Sequence, residues 1–273
     1  MEQVAAMAPA KEPSALVLVI YNLLYWPYLL ASCALLFFPA VVIWLVTLPF
    51  DPRQRILGWY TTGWGAHYLT RAPLVVVTVD GLERAPRDRP CVYVSNHQSM
   101  VDILALFSTR IPFKWVSKVE NFYVPFLGWN MWLNRYVALK RGHLPSIMRM
   151  VRTCNARLEE GDSLFVFPEG TRSTDGELRS FFRGAFRIAV RNRVPVVPML
   201  IEGTGGILPK GRFRICPRDV LVRILEPVDP ASVDFDHKRL HDVVRERMSA
   251  EQDRIRGRSR AMPGPRSSAA ASP

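Results

Sequence analysis

The sequence predicts an α/β fold, a largely parallel or mixed sheet flanked by helices, preceded by a membrane-embedded helical segment. Two observations carry this. From about residue 74 onward, short runs of β-branched residues alternate with stretches of helical periodicity, the pattern of buried strands joined by crossover helices. Ahead of them, Ser14 to Phe50 is 37 residues without a charged side chain, a composition suited to hydrocarbon. In a sheet of this kind, functional side chains gather at the carboxyl ends of the strands.

A continuous helix over the uncharged segment would run roughly 55 Å, well beyond a hydrocarbon core of about 30 Å. Pro27 and Pro39 divide it into three short apolar pieces, which favours a kinked or re-entrant pair of helices, with one long tilted span as the alternative. The first 13 residues carry only Lys11, balanced by Glu2 and Glu12, so the basic leader of a cleaved secretory signal is lacking. Leu30-Ala31-Ser32-Cys33 has the form of a lipoprotein processing site, yet it runs into Ala34-Leu35-Leu36-Phe37-Phe38 where a polar tether belongs. Arg53, Arg55 and Arg71 follow the segment, and the positive-inside rule sets what comes after them on the cytoplasmic side of a membrane.

Ile56 to Thr70 mixes Trp59, Tyr60, Trp64 and Tyr68 with glycine, as in an interfacial helix or one packed on the domain core. Leu74 to Val79 and Cys91 to Ser95 read as strands. Ser146 to Glu160 sets Ile147, Met150, Val151, Cys154 and Leu158 at helical spacing, with Gly161 as the stop. Leu164 to Phe167 is a strand, Gly184 to Asn192 a helix, and Val194 to Ile201 and Val220 to Leu225 two further strands. Asp236 to about Arg254 is an amphipathic helix. The organisation is thus a tail over 1–13, membrane-embedded and interfacial helices over 14–72, an α/β domain over 73–255, and a disordered basic tail over 256–273 rich in Arg, Pro, Ser and Ala.

A formal net charge of +12 implies an anionic partner, whether nucleic acid, an acidic membrane face or a phosphorylated substrate. No nucleic-acid recognition motif accompanies the basic stretch Arg254 to Arg260, which argues against nucleic acid. Cys33, Cys91, Cys154 and Cys216 lack the spacing of a zinc site or a disulfide framework. His237 and His241 are four apart without a glutamate after the first, so a surface helix is the reading rather than a metal site. Gly203-Thr204-Gly205-Gly206 with Lys210-Gly211 is glycine-rich but lacks the ending of a phosphate-binding P-loop.

Two stretches carry chemistry. In Asn96-His97-Gln98-Ser99-Met100-Val101-Asp102, His97 and Asp102 would diverge by about 140° on a regular helix. They meet if His97 lies in a turn after a strand and Asp102 in the first helical turn. Asp102 then fixes one imidazole nitrogen and leaves the other as a base. About seventy positions later, Phe167-Pro168-Glu169-Gly170-Thr171-Arg172-Ser173 closes a strand and enters a glycine turn, exposing backbone N–H groups and a guanidinium suited to phosphate.

Together, in this order and at this separation, the two motifs resemble those of the glycerolipid acyltransferase family, in particular the branch that acylates 1-acyl-glycerol 3-phosphate to phosphatidic acid. The resemblance spans roughly residues 75 to 230 and implies a glycerol-3-phosphate acyltransferase-like fold. It assigns His97 and Asp102 the catalytic roles, and binding of the acceptor's glycerol phosphate to Glu169, Gly170, Thr171 and Arg172. Tyr136-Val137-Ala138-Leu139-Lys140-Arg141 looks like the family's second block, in which Arg141 helps hold the acceptor; Lys140 stands where the family often has an acidic residue, which bears on acceptor preference. Lys118 resembles a family lysine that reaches the same phosphate, and Val194-Pro195-Val196-Val197-Pro198 a strand lining the acyl side. The implied donor is acyl-CoA or acyl carrier protein, the acceptor a lysophospholipid and the setting an anionic membrane, with no metal or organic cofactor. Glycerol 3-phosphate, another lysophospholipid or a lyso-aminolipid are the alternative acceptors. Cys91 as an acyl-accepting thiol is disfavoured by its apolar strand.

Overall fold

The computed structural model describes residues 13–261. The chain runs α1 (Ala15–Thr47), α2 (Arg55–Thr70), β1 (Val77–Asp80), β2 (Val92–Ser95), α3 (Val101–Phe107), β3 (Lys114–Lys118), α4 (Leu127–Leu133), β4 (Val137–Leu139), α5 (Leu144–Glu159), β5 (Leu164–Val166), α6 (Gly184–Asn192), β6 (Val196–Glu202), α7 (Thr204–Ile207), β7 (Val220–Ile224) and α8 (His237–Ala261). The strands form one seven-stranded mixed sheet in the order β1-β7-β6-β2-β5-β3-β4. Every neighbouring pair is parallel except β6 with β7. The carboxyl ends of β6, β2, β5, β3 and β4 therefore share one edge, where the sequence motifs lie.

Alternation along each strand splits the core in two. Tyr93, Trp115, Phe165, Val197 and Met199 face α3, while Val92, Val94, Leu164, Val196 and Leu200 face the side covered by α5, α6 and α8. That is the period-two signature of strands buried on both faces. The two sides bury Leu106 and Phe107 of α3, and Phe186, Leu240, Val244 and Met248 of α6 and α8.

The N-terminal segment departs from the expected short pieces. Ala15 to Thr47 is one helix of 33 residues that passes through both Pro27 and Pro39, about 50 Å at the usual rise. A proline inside a helix forfeits one backbone bond and need not end it when the flanking turns are fixed by packing. Here the reversal comes at residues 48–54, and α2 returns antiparallel along α1: the Tyr60 hydroxyl donates to Leu36 O at 2.9 Å and the Tyr25 hydroxyl to Tyr68 O at 2.7 Å. The reversal is fastened to the sheet domain. Lys114 Nζ donates to Arg53 O and Arg135 Nη1 to Pro52 O, each at 2.6 Å, and the Arg53 guanidinium donates to Glu160 O.

By length and composition α1 could cross a membrane, and only 6% of its most apolar window is buried. Leu23, Leu24, Leu30, Leu35 and Phe38 are all exposed. The aromatics of α2 divide: Trp64 and Tyr68 are buried with Leu57 and Leu69, Tyr60 is half-buried, and Trp59 is exposed. At the far end, α8 continues as helix from the expected Arg254 to Ala261. The rest of the tail expected to be disordered, 262–273, lies outside the described residues, as do residues 1–12.

Candidate active site

β2 stops at Ser95, and the side chain of Asn96 takes over its ladder to β6. Asn96 Nδ2 donates to Ile201 O and its Oδ1 accepts from Ile201 N, both at 2.8 Å. This mimic of a backbone pair fixes the chain as it leaves the sheet. Gln98 adds a bond from Nε2 to Ile201 O at 3.1 Å, and the Ser99 hydroxyl donates to Leu208 O at 2.8 Å. His97 is thus held in a turn, and α3 begins with Asp102 in its first turn, the placement the five-residue spacing required.

The two side chains meet: His97 Nδ1 lies 2.7 Å from Asp102 Oδ2. The same oxygen accepts from the backbone N–H of Gln98 at 2.6 Å and of Ser99 at 2.9 Å. Two backbone donors oblige that oxygen to act as an acceptor, so His97 donates through Nδ1–H and its Nε2 carries the lone pair. Nε2 has no hydrogen-bond partner among the described residues. The ring lies flat against Phe167, centroids 3.9 Å apart at 14°, so both its plane and its rotation are set. Such an imidazole is built to take and return a proton.

The second motif wraps the first. Ser173 N donates to His97 O at 2.7 Å and His97 N donates to Glu169 Oε1 at 3.2 Å. Gly170 makes the intervening turn at φ +67, a left-handed conformation that favours glycine. Glu169 is 4% exposed, and its Oε1 accepts from the His97 backbone N–H, so it braces the His97 turn instead of offering an open carboxylate. Burial pushes its carboxyl up to about 7, against the His97 N–H, which favours the anion.

A carboxyl whose proton is held more tightly when folded stabilises most below its ordinary value of 4.5 and loses that contribution as pH rises through about 7. Glu169→Gln, neutral at every pH, should remove up to about 3 kcal/mol of pH-dependent stability. Thermal unfolding in micelles at pH 5 and pH 8 checks this: the wild type loses stability between the two and the variant loses less. Equal losses would contradict a buried, proton-holding carboxyl.

The cationic candidates lie along the same strand edge. Lys118 is the last residue of β3 and is paired with Glu120 at 3.2 Å. Arg141 stands two positions beyond β4 and is exposed, and Arg172 follows β5 half-buried. Among the described residues neither Arg141 nor Arg172 has an ion-pair partner. Thr171 is half-buried beside Arg172. Cys91 is fully buried and its thiol is pushed up to about 12 by burial, the state of an inert sulfur. Among the described residues no three His, Cys, Asp or Glu side chains are grouped to hold a metal ion.

An acyltransferase family model matches residues 76–202. The chain is 36% identical over 225 residues to a 1-acyl-sn-glycerol-3-phosphate acyltransferase of Chlamydomonas reinhardtii, covering 81% of this chain and 67% of that one. This chain belongs to the acyltransferase family. It is also 40% identical over 190 residues to a chloroplastic 1-acyl-sn-glycerol-3-phosphate acyltransferase of Arabidopsis thaliana, covering 68% of this chain and 53% of the relative. It therefore spans about half to two thirds of the length of these relatives. The crystal structure of the 1-acyl-sn-glycerophosphate acyltransferase PlsC from Thermotoga maritima superposes at a TM-score of 0.71 with 29% identity, over 92% of this chain and 98% of that one. The acyltransferase fold read from the sequence is thus present.

One residue bonded to the His97–Asp102 pair was passed over in the sequence. Thr204, in the glycine-rich turn after β6, donates its hydroxyl to Asp102 Oδ1. Nothing local signals it, because the two residues are 102 positions apart and meet only in the fold.

Proposed function

We propose that this acyltransferase moves a fatty acyl group from an acyl thioester, acyl-CoA or acyl carrier protein, to the sn-2 hydroxyl of 1-acyl-glycerol 3-phosphate, giving phosphatidic acid. The observation that carries the reading is the imidazole fixed through Nδ1 by Asp102, with Nε2 unpartnered among the described residues, on the strand edge that also bears Arg172. His97 Nε2 takes the proton of the acceptor hydroxyl as its oxygen attacks the thioester carbonyl carbon. Asp102 stabilises the imidazolium that forms. The tetrahedral oxyanion collapses, the carbon–sulfur bond breaks, and the departing thiolate recovers the proton from His97.

Arg172, with Arg141 and Lys118, holds the acceptor phosphate, the backbone around Gly170 and Thr171 shapes that subsite, and Glu169 fixes the turn. In this reading residues 14–72 are the membrane anchor and residues 73–255 the catalytic domain. The anchor keeps the enzyme at the bilayer where substrate and product reside, the catalytic domain lies on the cytoplasmic side, and anionic lipid is the preferred surface.

Thiol release measured with a panel of acceptors tests the assignment. The highest kcat/KM is expected with 1-acyl-glycerol 3-phosphate, and preference for glycerol 3-phosphate or an uncharged lysolipid would overturn it. Arg172→Ala should raise the KM for the acceptor about 10- to 100-fold through loss of a charge-assisted contact, with the thioester KM unchanged. An unchanged acceptor KM removes Arg172 from the phosphate site.

A further inference from the structure

We propose that Thr204 is a positioning residue for the His97–Asp102 pair, locking the carboxylate so that Oδ2 stays aimed at the imidazole. The inference rests on the proton-transfer role proposed above for His97. Asp102 is fully buried, and its Oδ2 is occupied by three donors, His97 Nδ1, Gln98 N and Ser99 N. Among the described residues its Oδ1 has one partner, the Thr204 hydroxyl, and Thr204 is itself fully buried. A carboxylate that accepts at both oxygens from fixed groups cannot rotate about its Cβ–Cγ bond. Without the hydroxyl, Oδ1 would be a buried acceptor that has lost this donor.

The turn that delivers Thr204 is shaped for this contact. β6 ends at Glu202, and Gly203 reverses the chain at φ +95, a conformation that disfavours side chains. The segment is then tied to the His97 turn from the other side, Leu208 O accepting the Ser99 hydroxyl. The motif that carries the base and the turn after β6 therefore close on each other around one carboxylate.

Thr204→Val removes the hydroxyl at nearly constant shape, and Thr204→Ser restores it. Steady-state kinetics of both variants, with melting temperatures alongside, are compared with the wild type and with His97→Ala. The expected result is a fall in kcat of about 10- to 100-fold for Thr204→Val, the range one hydrogen bond to a charged group supports. Both substrate KM values should stay within about 2-fold, and Thr204→Ser should keep kcat within about 3-fold. Wild-type kcat in Thr204→Val, or a loss in Thr204→Ser as deep as in Thr204→Val, overturns the proposal. If the valine variant fails to fold, Thr204→Ala deletes the same hydroxyl and is judged by the same kcat criterion. Normal turnover by His97→Ala would instead sink the base assignment itself, whereas an inactive His97→Ala beside an unimpaired Thr204→Val removes Thr204 alone.

Discussion

His97→Ala should lower kcat by about 10²- to 10⁴-fold, the usual contribution of a positioned general base, with the fold intact. The fold should survive because the contacts that join the two motifs at this position are backbone ones, His97 N to Glu169 and Ser173 N to His97 O. Asp102 Oδ2 keeps the N–H groups of Gln98 and Ser99 in the variant, so no buried charge is orphaned. The ring's stack on Phe167 is lost, at a cost of about 1 kcal/mol. Turnover by purified protein and its melting temperature in micelles are the two readings. A variant with wild-type kcat removes the mechanism, and a collapsed melting transition would mean that the ring is structural.

Asp102→Asn is expected to be nearly as severe, for a reason the geometry isolates. The Asn carbonyl oxygen must occupy the Oδ2 position, because Gln98 N and Ser99 N both donate there. The amide nitrogen then faces the Thr204 hydroxyl, which can rotate to accept. The His97 tautomer is preserved and only the charge opposite the imidazolium is lost. A unit charge at about 4 Å in an effective dielectric near 20 is worth about 4 kcal/mol, or about 10³-fold in rate. Activity above a tenth of wild type in Asp102→Asn would show that the carboxylate's charge is not used.

Much of this site could be read from the chain because its signals are local. The spacing of His97 and Asp102 demanded a turn followed by a helix, and the chain supplies both. The helix Gly184–Asn192 and the stop at Gly161 after α5 likewise follow from periodicity and a left-handed glycine. What escaped the sequence was set by distant partners. Pro27 and Pro39 signal breaks, but packing of α1 against α2 and α4 carries the helix through them. The antiparallel β6–β7 pair depends on where the 208–219 segment returns, which no periodicity encodes. The burial of Glu169 and the bond from Thr204 to Asp102 are likewise set by partners far along the chain.

The most direct measurement of the central claim is single-turnover thiol release from an acyl thioester with and without the lysophospholipid. If the acceptor's own hydroxyl is the nucleophile, thiol appears only when acceptor is present, in step with phosphatidic acid, and His97→Ala suppresses both. A burst of thiol equal to the enzyme concentration without acceptor, surviving in His97→Ala, would place the acyl group on the protein and contradict the account.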